Sequence, residues 1–271
     1  MTGISLKNAL KNGERIYGTA IISPSPHWPD AVKQTGLDFV FLDTEHIALS
    51  RETLAQMCQV YSGLGLPSIV RIPSPDPYEA CKILDGGATG ILAPYIESVD
   101  QVKALVGALK LRPLKGKKLQ SVLDEGEAIE PTLQKYIDAR NENAILLINI
   151  KSAPALDNLD ELLAVPGLDG VIIGPHDLSC SLGIPEEYQN PMFKDAVEKI
   201  IDGCLSAGLA VGIHLSESPQ LQIDWAKAGV NIIMHSSDIS IFSQALKSDV
   251  DIMRAALGDK GAAKEMQQKI I

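Results

Sequence analysis

The chain is short of the features that mark several large functional classes. It has four cysteines in 271 residues, at Cys58, Cys81, Cys180 and Cys204. None forms a CxxC pair and no spacing suits zinc, so neither a disulfide framework nor a zinc site organises the chain. Cys58, Cys81 and Cys204 fall within helical patterns and read as buried free thiols. Positive charge is scarce as well: 24 Lys and Arg against 34 Asp and Glu give a net charge of −10. That balance argues against a nucleic-acid footprint and against binding an anionic membrane by charge, while leaving room for a local site for a small anion. No apolar run approaches the length of a membrane span and no signal-peptide pattern opens the chain, so the expected compartment is the cytoplasm. No GxGxxG follows the first apolar run; the turn there is Ser23-Pro24-Ser25-Pro26, which disfavours a doubly wound dinucleotide fold.

What is present is a rhythm. A hydrophobic share of 45% supports a large core. Eight short apolar runs read as strands: 16–22, 39–42, 67–72, 90–96, 144–150, 170–173, 210–215 and 231–234. Helical patterns alternate with them. Ser50 caps one, Pro77 opens another at 76–85, and an apolar stripe at Val99, Val102, Leu105 and Val106 marks a third at 98–110. Further helices are expected at 155–165, 192–207, 219–228 and 239–257. This alternation, with no break in composition, predicts an α/β fold of the (β/α)8 TIM barrel type: a single barrel domain over 1–258 and a polar tail over 259–271. Residues 111–142 break the rhythm. They are polar and charged, and read as one long irregular connection of the lid or disordered kind.

In such a barrel the active site gathers at the C-terminal ends of the strands. Those ends offer Asp43, Glu45 and His46 on the second strand and Arg71 on the third. Asn149 and Lys151 end the fifth, His176 and Asp177 the sixth, His214 the seventh, and His235 and Asp238 the eighth. A carboxylate beside an imidazole orients the ring and supports the charge it gains on taking a proton. Arginine keeps its charge and a fixed fork of donors, which suits a carboxylate or a developing enolate. Backbone N–H groups after Gly174-Pro175 add a candidate anion nest. Each residue alone also fits a cap or an ion pair; polar groups at six strand ends together favour a site for proton transfer beside a 2-oxo acid.

Four segments carry a resemblance: Phe41-Leu-Asp-Thr-Glu-His46, Val70-Arg71, Leu84-Asp-Gly-Gly-Ala-Thr-Gly-Ile91 and Asp169-Gly-Val-Ile-Ile-Gly-Pro-His-Asp-Leu-Ser179. Through them the chain resembles the pyruvate-dependent class II aldolases of the 4-hydroxy-2-oxoheptanedioate aldolase type, within the phosphoenolpyruvate/pyruvate barrel superfamily. The resemblance implies a lyase that cleaves a 4-hydroxy-2-oxo acid to pyruvate and an aldehyde through a pyruvate enolate. It implies His46 as acid/base with Asp43 orienting its ring, Arg71 on the pyruvate oxygens, and the backbone around His176 and Asp177 on the substrate carboxylate. Asp177 matches one of two carboxylates for a divalent metal, Mg or Mn. Asp85 matches a residue that looks across a subunit boundary toward the aldehyde. Homo-oligomers are implied, often hexamers that exchange their last helix.

One departure from that pattern is severe. The second metal carboxylate of the family is a Glu at the end of the fifth strand, and here that position is Lys151. A charged ammonium has three donors and no acceptor and cannot ligate a metal. Four outcomes are open: an ammonium paired with Asp177 in the metal's place, a Schiff-base lysine, a catalytically impaired relative that binds 2-oxo acids, or a Lys151 turned out to solvent. His214 also stands where an apolar residue is common in the family, which makes the aldehyde side more polar.

Overall fold

Eight parallel strands close on one another in sequence order, with β8 returning to β1. The computed structural model describes residues 1–216 and 218–259; the polar tail expected beyond that point lies outside the described residues. The chain runs α1 (Gly3–Lys11), β1 (Ile16–Ala20), α2 (Trp28–Lys33), β2 (Phe39–Asp43), α3 (Arg51–Gly63), β3 (Ser68–Arg71), α4 (Pro77–Asp85), β4 (Gly90–Ala93) and α5 (Val99–Lys110). It continues through α6 (Gly116–Asp124), α7 (Pro131–Arg140), β5 (Ile145–Ile150), α8 (Ala153–Asp157), α9 (Leu159–Leu163), β6 (Gly170–Ile173) and α10 (Pro175–Ser181). The last elements are α11 (Pro191–Ser206), β7 (Ala210–Leu215), α12 (Pro219–Ala228), β8 (Ile232–Ser237) and α13 (Asp238–Leu257). The barrel expected from the alternation is the fold observed.

Local chemistry sets the helix starts. The Ser50 hydroxyl accepts from the Thr53 N–H, and the Asp76 carboxylate accepts from the N–H groups of Tyr78 and Glu79 while Pro77 fills the first helical position. Ser98 and Gln101 form a reciprocal capping box on α5. Each satisfies N–H groups that a helix start leaves without partners.

Strand periodicity then sorts the side chains. Phe39 and Phe41 on β2, Ile69 on β3, Ile145 and Leu147 on β5, Ile172 on β6 and Ala210 on β7 form the inner barrel core. Val40, Leu42, Val70, Leu146, Ile148, Val171 and Val211 pack outward against the helices. The period of two carries the inward face onward to Asp43, Arg71, Asn149, Lys151, Gly174 and His214. The inner wall is thus apolar below and charged at the C-terminal mouth.

Two expectations need correction. Residues 111–142 are not an irregular connection; they hold α6 and α7. Leu119 and Leu123 of α6 lie against α5 at Gly107, where an added Cβ would stand 2.8 Å from Leu123 Cδ1, so two apolar residues in a polar stretch suffice to dock the helix. The Lys118 ammonium donates to Glu127 and Glu130 across the following turn. The helix expected over 155–165 is two short ones, α8 and α9, broken at Asn158, whose side-chain amide donates to the Glu97 carbonyl. On α13, only Asp238 and Ser240 are buried; from Ile241 onward the helix runs almost wholly exposed, presenting Ile241, Phe242, Leu246, Ile252, Met253 and Leu257 to solvent.

Candidate active site

Asp43 and Arg71 face each other across the β2–β3 ladder, both on the inner face. Arg71 Nε donates to Asp43 Oδ1 at 2.8 Å and its Nη2 to Asp43 Oδ2 at 2.6 Å, a fork-on-fork pair. Burial alone would raise the Asp43 carboxyl, but the Arg71 hydrogen bond and charge, the Glu45 N–H and His46 outweigh it and hold the group below its ordinary range. Burial likewise works against the Arg71 charge, and Asp43, Glu45 and Asp177 more than restore it.

Asp43 Oδ1 also accepts from the Glu45 N–H at 2.9 Å, a side-chain turn that brings Glu45 back over the mouth. Glu45 is the hub. Lys151 Nζ donates to its Oε1 at 2.9 Å and its Oε2 at 2.8 Å. Arg71 Nε lies 3.1 Å and His46 Nε2 3.5 Å from its Oε2. Lys151 Nζ also pairs with Asp177 Oδ2 at 3.1 Å, although the lysine side chain is only 1% exposed. Lys151 therefore points into the barrel, and the reading that turns it to solvent is wrong. An extended stem on the inner face of β5 has no path to solvent except through the mouth.

Tyr95 completes the cluster, and reasoning from strand ends missed it. It follows β4 with a φ of 51°, rare for a bulky residue and characteristic of functional sites. Its ring lies 5.5 Å from Lys151 Nζ, within cation–π range. Burial, then the charges of Asp177 and Glu97, push its hydroxyl above the usual tyrosine range. The expected strand over 90–96 took in Tyr95, whereas β4 ends at Ala93 and leaves Pro94-Tyr95 beyond it, just ahead of Glu97.

The remaining expected residues divide. His214 Nε2 lies 3.0 Å from the Ser236 carbonyl and its ring packs edge-on to Phe41. Burial lowers its pKa, with the Arg71 charge adding to that and the Ser236 hydrogen bond opposing it, so His214 is a neutral group beside the Arg71–Asp43 pair. Gly174 and Pro175 form the start of α10, and Gly174 lies against the Lys151 stem. The His176 side chain is 65% exposed and directed at Glu186, 3.8 Å away, so only its backbone belongs to the site. The expected orienting of His46 by Asp43 is not the arrangement observed: both Asp43 oxygens are held by Arg71, and the carboxylate beside His46 is Glu45. Asp85 ends α4, at the opposite end of the barrel from the mouth, and pairs with Arg112 at 3.0 Å, so it does not join this cluster. Asp238 accepts from the N–H groups of Ile22 and Ser23 and braces the β1 loop.

Asp177 was expected as a metal ligand. It pairs with Lys151 instead, and among the described residues no group of three or more His, Cys, Asp or Glu side chains is disposed to hold a metal ion. The two carboxylates that converge here, Glu45 and Asp177, already share an ammonium. This donor set does not fit a divalent cation, which needs several oxygen ligands at about 2.0–2.6 Å.

Comparison with known proteins agrees with the fold. The chain is 30% identical over 245 residues to a 2-keto-3-deoxy-L-rhamnonate aldolase of Escherichia coli O157:H7, spanning 89% of each chain. It is 28% identical over 253 residues to the protein of that name from Salmonella gallinarum (strain 287/91), spanning 92% of each. A solved HpcH/HpaI aldolase from Desulfitobacterium hafniense DCB-2 superposes with a TM-score of 0.80 at 24% identity, over 92% of this chain and 96% of that one. The citrate synthase SbnG superposes with a TM-score of 0.80 at 26% identity, over 94% and 100%. The family profile for HpcH/HpaI aldolase/citrate lyase matches residues 21–245, a span that holds every strand-end residue of the mouth, and the chain belongs to that family.

Proposed function

We propose that this chain is a carbon–carbon lyase that cleaves a 4-hydroxy-2-oxo acid to pyruvate and an aldehyde through a pyruvate enolate. The observation that carries the reading is the convergence of Arg71, Lys151 and His46 on Glu45 at the mouth of the barrel. Two fixed cations beside an imidazole are the parts that enolate chemistry needs.

The 2-oxo acid lies at the mouth with its carboxylate on the N–H groups that open α10, around His176 and Asp177, which the helix itself leaves unpaired. Arg71 spends Nε and one N–H of Nη2 on Asp43 and keeps three of its five N–H groups for the substrate oxygens. His46 takes the proton of the 4-hydroxyl. The C3–C4 bond breaks, its electron pair enters the C2–C3 bond, and the oxo oxygen takes on negative charge while the aldehyde departs. The proton held by His46 then returns to C3, giving pyruvate. His214, neutral and next to Arg71, faces the departing aldehyde and favours a polar one. The rhamnonate aldolases of the family make 2-keto-3-deoxy-L-rhamnonate the first substrate to assay.

The same family resemblance supports a homo-oligomer. A 20-residue helix buried only at its first residues has little to hold it in water, and the apolar side chains along α13 fit a second copy of the chain.

A second reading has its own observation. All three Lys151 donors have carboxylate acceptors and the Arg71 fork is filled by Asp43, an arrangement that also suits a relative that binds 2-oxo acids without turning them over. Incubation in deuterium oxide with pyruvate, followed by NMR, separates the two: a lyase exchanges the pyruvate methyl protons, and a binding protein leaves them in place while pyruvate still perturbs the protein spectrum.

A further inference from the structure

We propose that the Lys151 ammonium is the resident cation of this site, and that the enolate forms here without a divalent metal. The inference rests on the lyase reading above and concerns how that same site stabilises charge.

Three independent features place the ammonium by design rather than by accident of a flexible side chain. The first is its ligation. Nζ lies 2.8–3.1 Å from three carboxylate oxygens on two strand ends, Oε1 and Oε2 of Glu45 and Oδ2 of Asp177. A metal bridging Glu45 and Asp177 would have to occupy that same space, and a dication brought beside the ammonium would be repelled by it.

The second feature is a socket for the stem. A Cβ built on Gly174 would stand 2.7 Å from Lys151 Cγ, closer than real Cβ atoms approach, and 3.3 Å from Cε, a tight contact. Gly174 has an ordinary φ of −95°, so its backbone conformation does not call for glycine. What calls for glycine is the passage of the lysine stem across its Cα. The third feature is the lid over the charge: Tyr95, held at positive φ, places its ring face at cation–π distance from Nζ.

The chemistry of the pair follows. An ammonium with two carboxylates around it has no lone pair to offer a carbonyl, so Lys151 acts as charge and donor, not as an imine-forming nucleophile. When the 2-oxo acid binds, one Lys151 N–H turns from a carboxylate to the C2 oxygen. Arg71 supplies the second positive group. His46 takes a proton from the pyruvate methyl, the electrons of the broken C–H bond form the C2–C3 double bond, and the oxygen's new charge lies between Arg71 and Lys151. His46 trades that proton for a solvent deuteron and returns the deuteron to C3, which completes the exchange with no other reactant.

The test follows methyl exchange of pyruvate in deuterium oxide by NMR, with EDTA and separately with Mn²⁺, alongside the EPR signal of free Mn²⁺ titrated with the full chain. The expected results are exchange within about twofold under both conditions, an undiminished free Mn²⁺ signal at equimolar chain, and a fall of about 100-fold in Lys151→Met, the loss typical of removing one such donor. Loss of exchange in EDTA together with loss of free Mn²⁺ signal would overturn the inference and leave the lyase reading standing. So would a pyruvyl adduct trapped on Lys151 by borohydride, or undiminished exchange in Lys151→Met. Absence of exchange under every condition would overturn the lyase reading and the inference with it.

Discussion

Lys151 Nζ holds both oxygens of Glu45, at 2.9 and 2.8 Å, so a residue at the end of β5 is locked to one just beyond β2, across the mouth of the barrel. The ammonium is nearly inaccessible to solvent, and carboxylates of Glu45 and Asp177 surround it. Removing Glu45 takes away two of the three carboxylate oxygens around Nζ and leaves Asp177 Oδ2 alone; a buried charge stripped of partners costs more than the pair itself contributes. Glu45→Ala is therefore expected to destabilise the chain by about 3 kcal/mol in urea unfolding, and adding Lys151→Met to that variant should restore part of the loss. With Lys151→Met measured alone as well, a double-variant loss equal to the sum of the two single losses would show that the pair is not coupled.

Gly174→Ala tests the socket. The added methyl collides with the Lys151 stem, not with backbone, so the lysine shifts and the fold adapts at a cost of about 1–3 kcal/mol. Displacing a group by about 1 Å in a site of this kind lowers turnover by about 100-fold. Methyl exchange of pyruvate measured beside thermal unfolding separates the two effects, with activity expected to fall far more than stability.

Asp43 sets a pH dependence of stability. Its carboxyl is held below its ordinary 3.8 in the folded chain, where the Arg71 contacts overcome the effect of burial. As pH falls the unfolded chain takes up this proton first, so the Asp43–Arg71 pair contributes fully above about pH 4 and its contribution is lost as pH drops through the lowered folded value. Urea midpoints measured from about pH 6 to pH 3 should fall more steeply in the natural chain than in Asp43→Asn, which cannot take up that proton.

His214 sits deep enough for burial to favour its neutral form, and its pKa falls below the ordinary 6.5. The unfolded chain again binds the proton first, so this group too withdraws stability as pH falls below about 6.5. NMR titration of the imidazole signals should find His214 taking up its proton below the ordinary 6.5. His214→Phe should keep the ring packing on Phe41 and shift aldehyde preference toward less polar substrates.

The exposed face of α13 predicts an assembly. Phe242 and Leu246 stand one helical turn apart and are 57% and 50% exposed, on a helix that the barrel leaves unsupported. Light scattering on the natural chain should report an oligomer, and Phe242→Glu with Leu246→Glu should yield a smaller species. A monomeric natural chain would show that α13 is not an interface.

The alternation of apolar runs and helices determined the barrel, because parallel strands buried on both faces need continuous apolar stretches and amphipathic helices to cover them. The same pattern placed Asp43, Glu45, His46, Arg71, Lys151 and Asp177 at one end, since strand ends are legible wherever an apolar run stops at a charge. Residue spacing along the chain carries no information on which charge meets which. Only the closed barrel shows that Glu45, beside its neighbour His46, gathers Lys151 and Arg71 and that Asp43 is spent on Arg71, because Lys151 and Arg71 come from strand ends far from β2 in sequence. Tyr95 escaped for a related reason: an aromatic after proline reads as core until a positive φ and a neighbouring ammonium give its ring a partner. The helices over 111–142 were hidden by surface charge, and two leucines on α6 were enough to dock it once α5 offered Gly107. Asp85 and α13 mark the other limit of local pattern: only the folded chain shows that Asp85 lies far from the mouth beside Arg112 and that α13 leaves its apolar residues exposed.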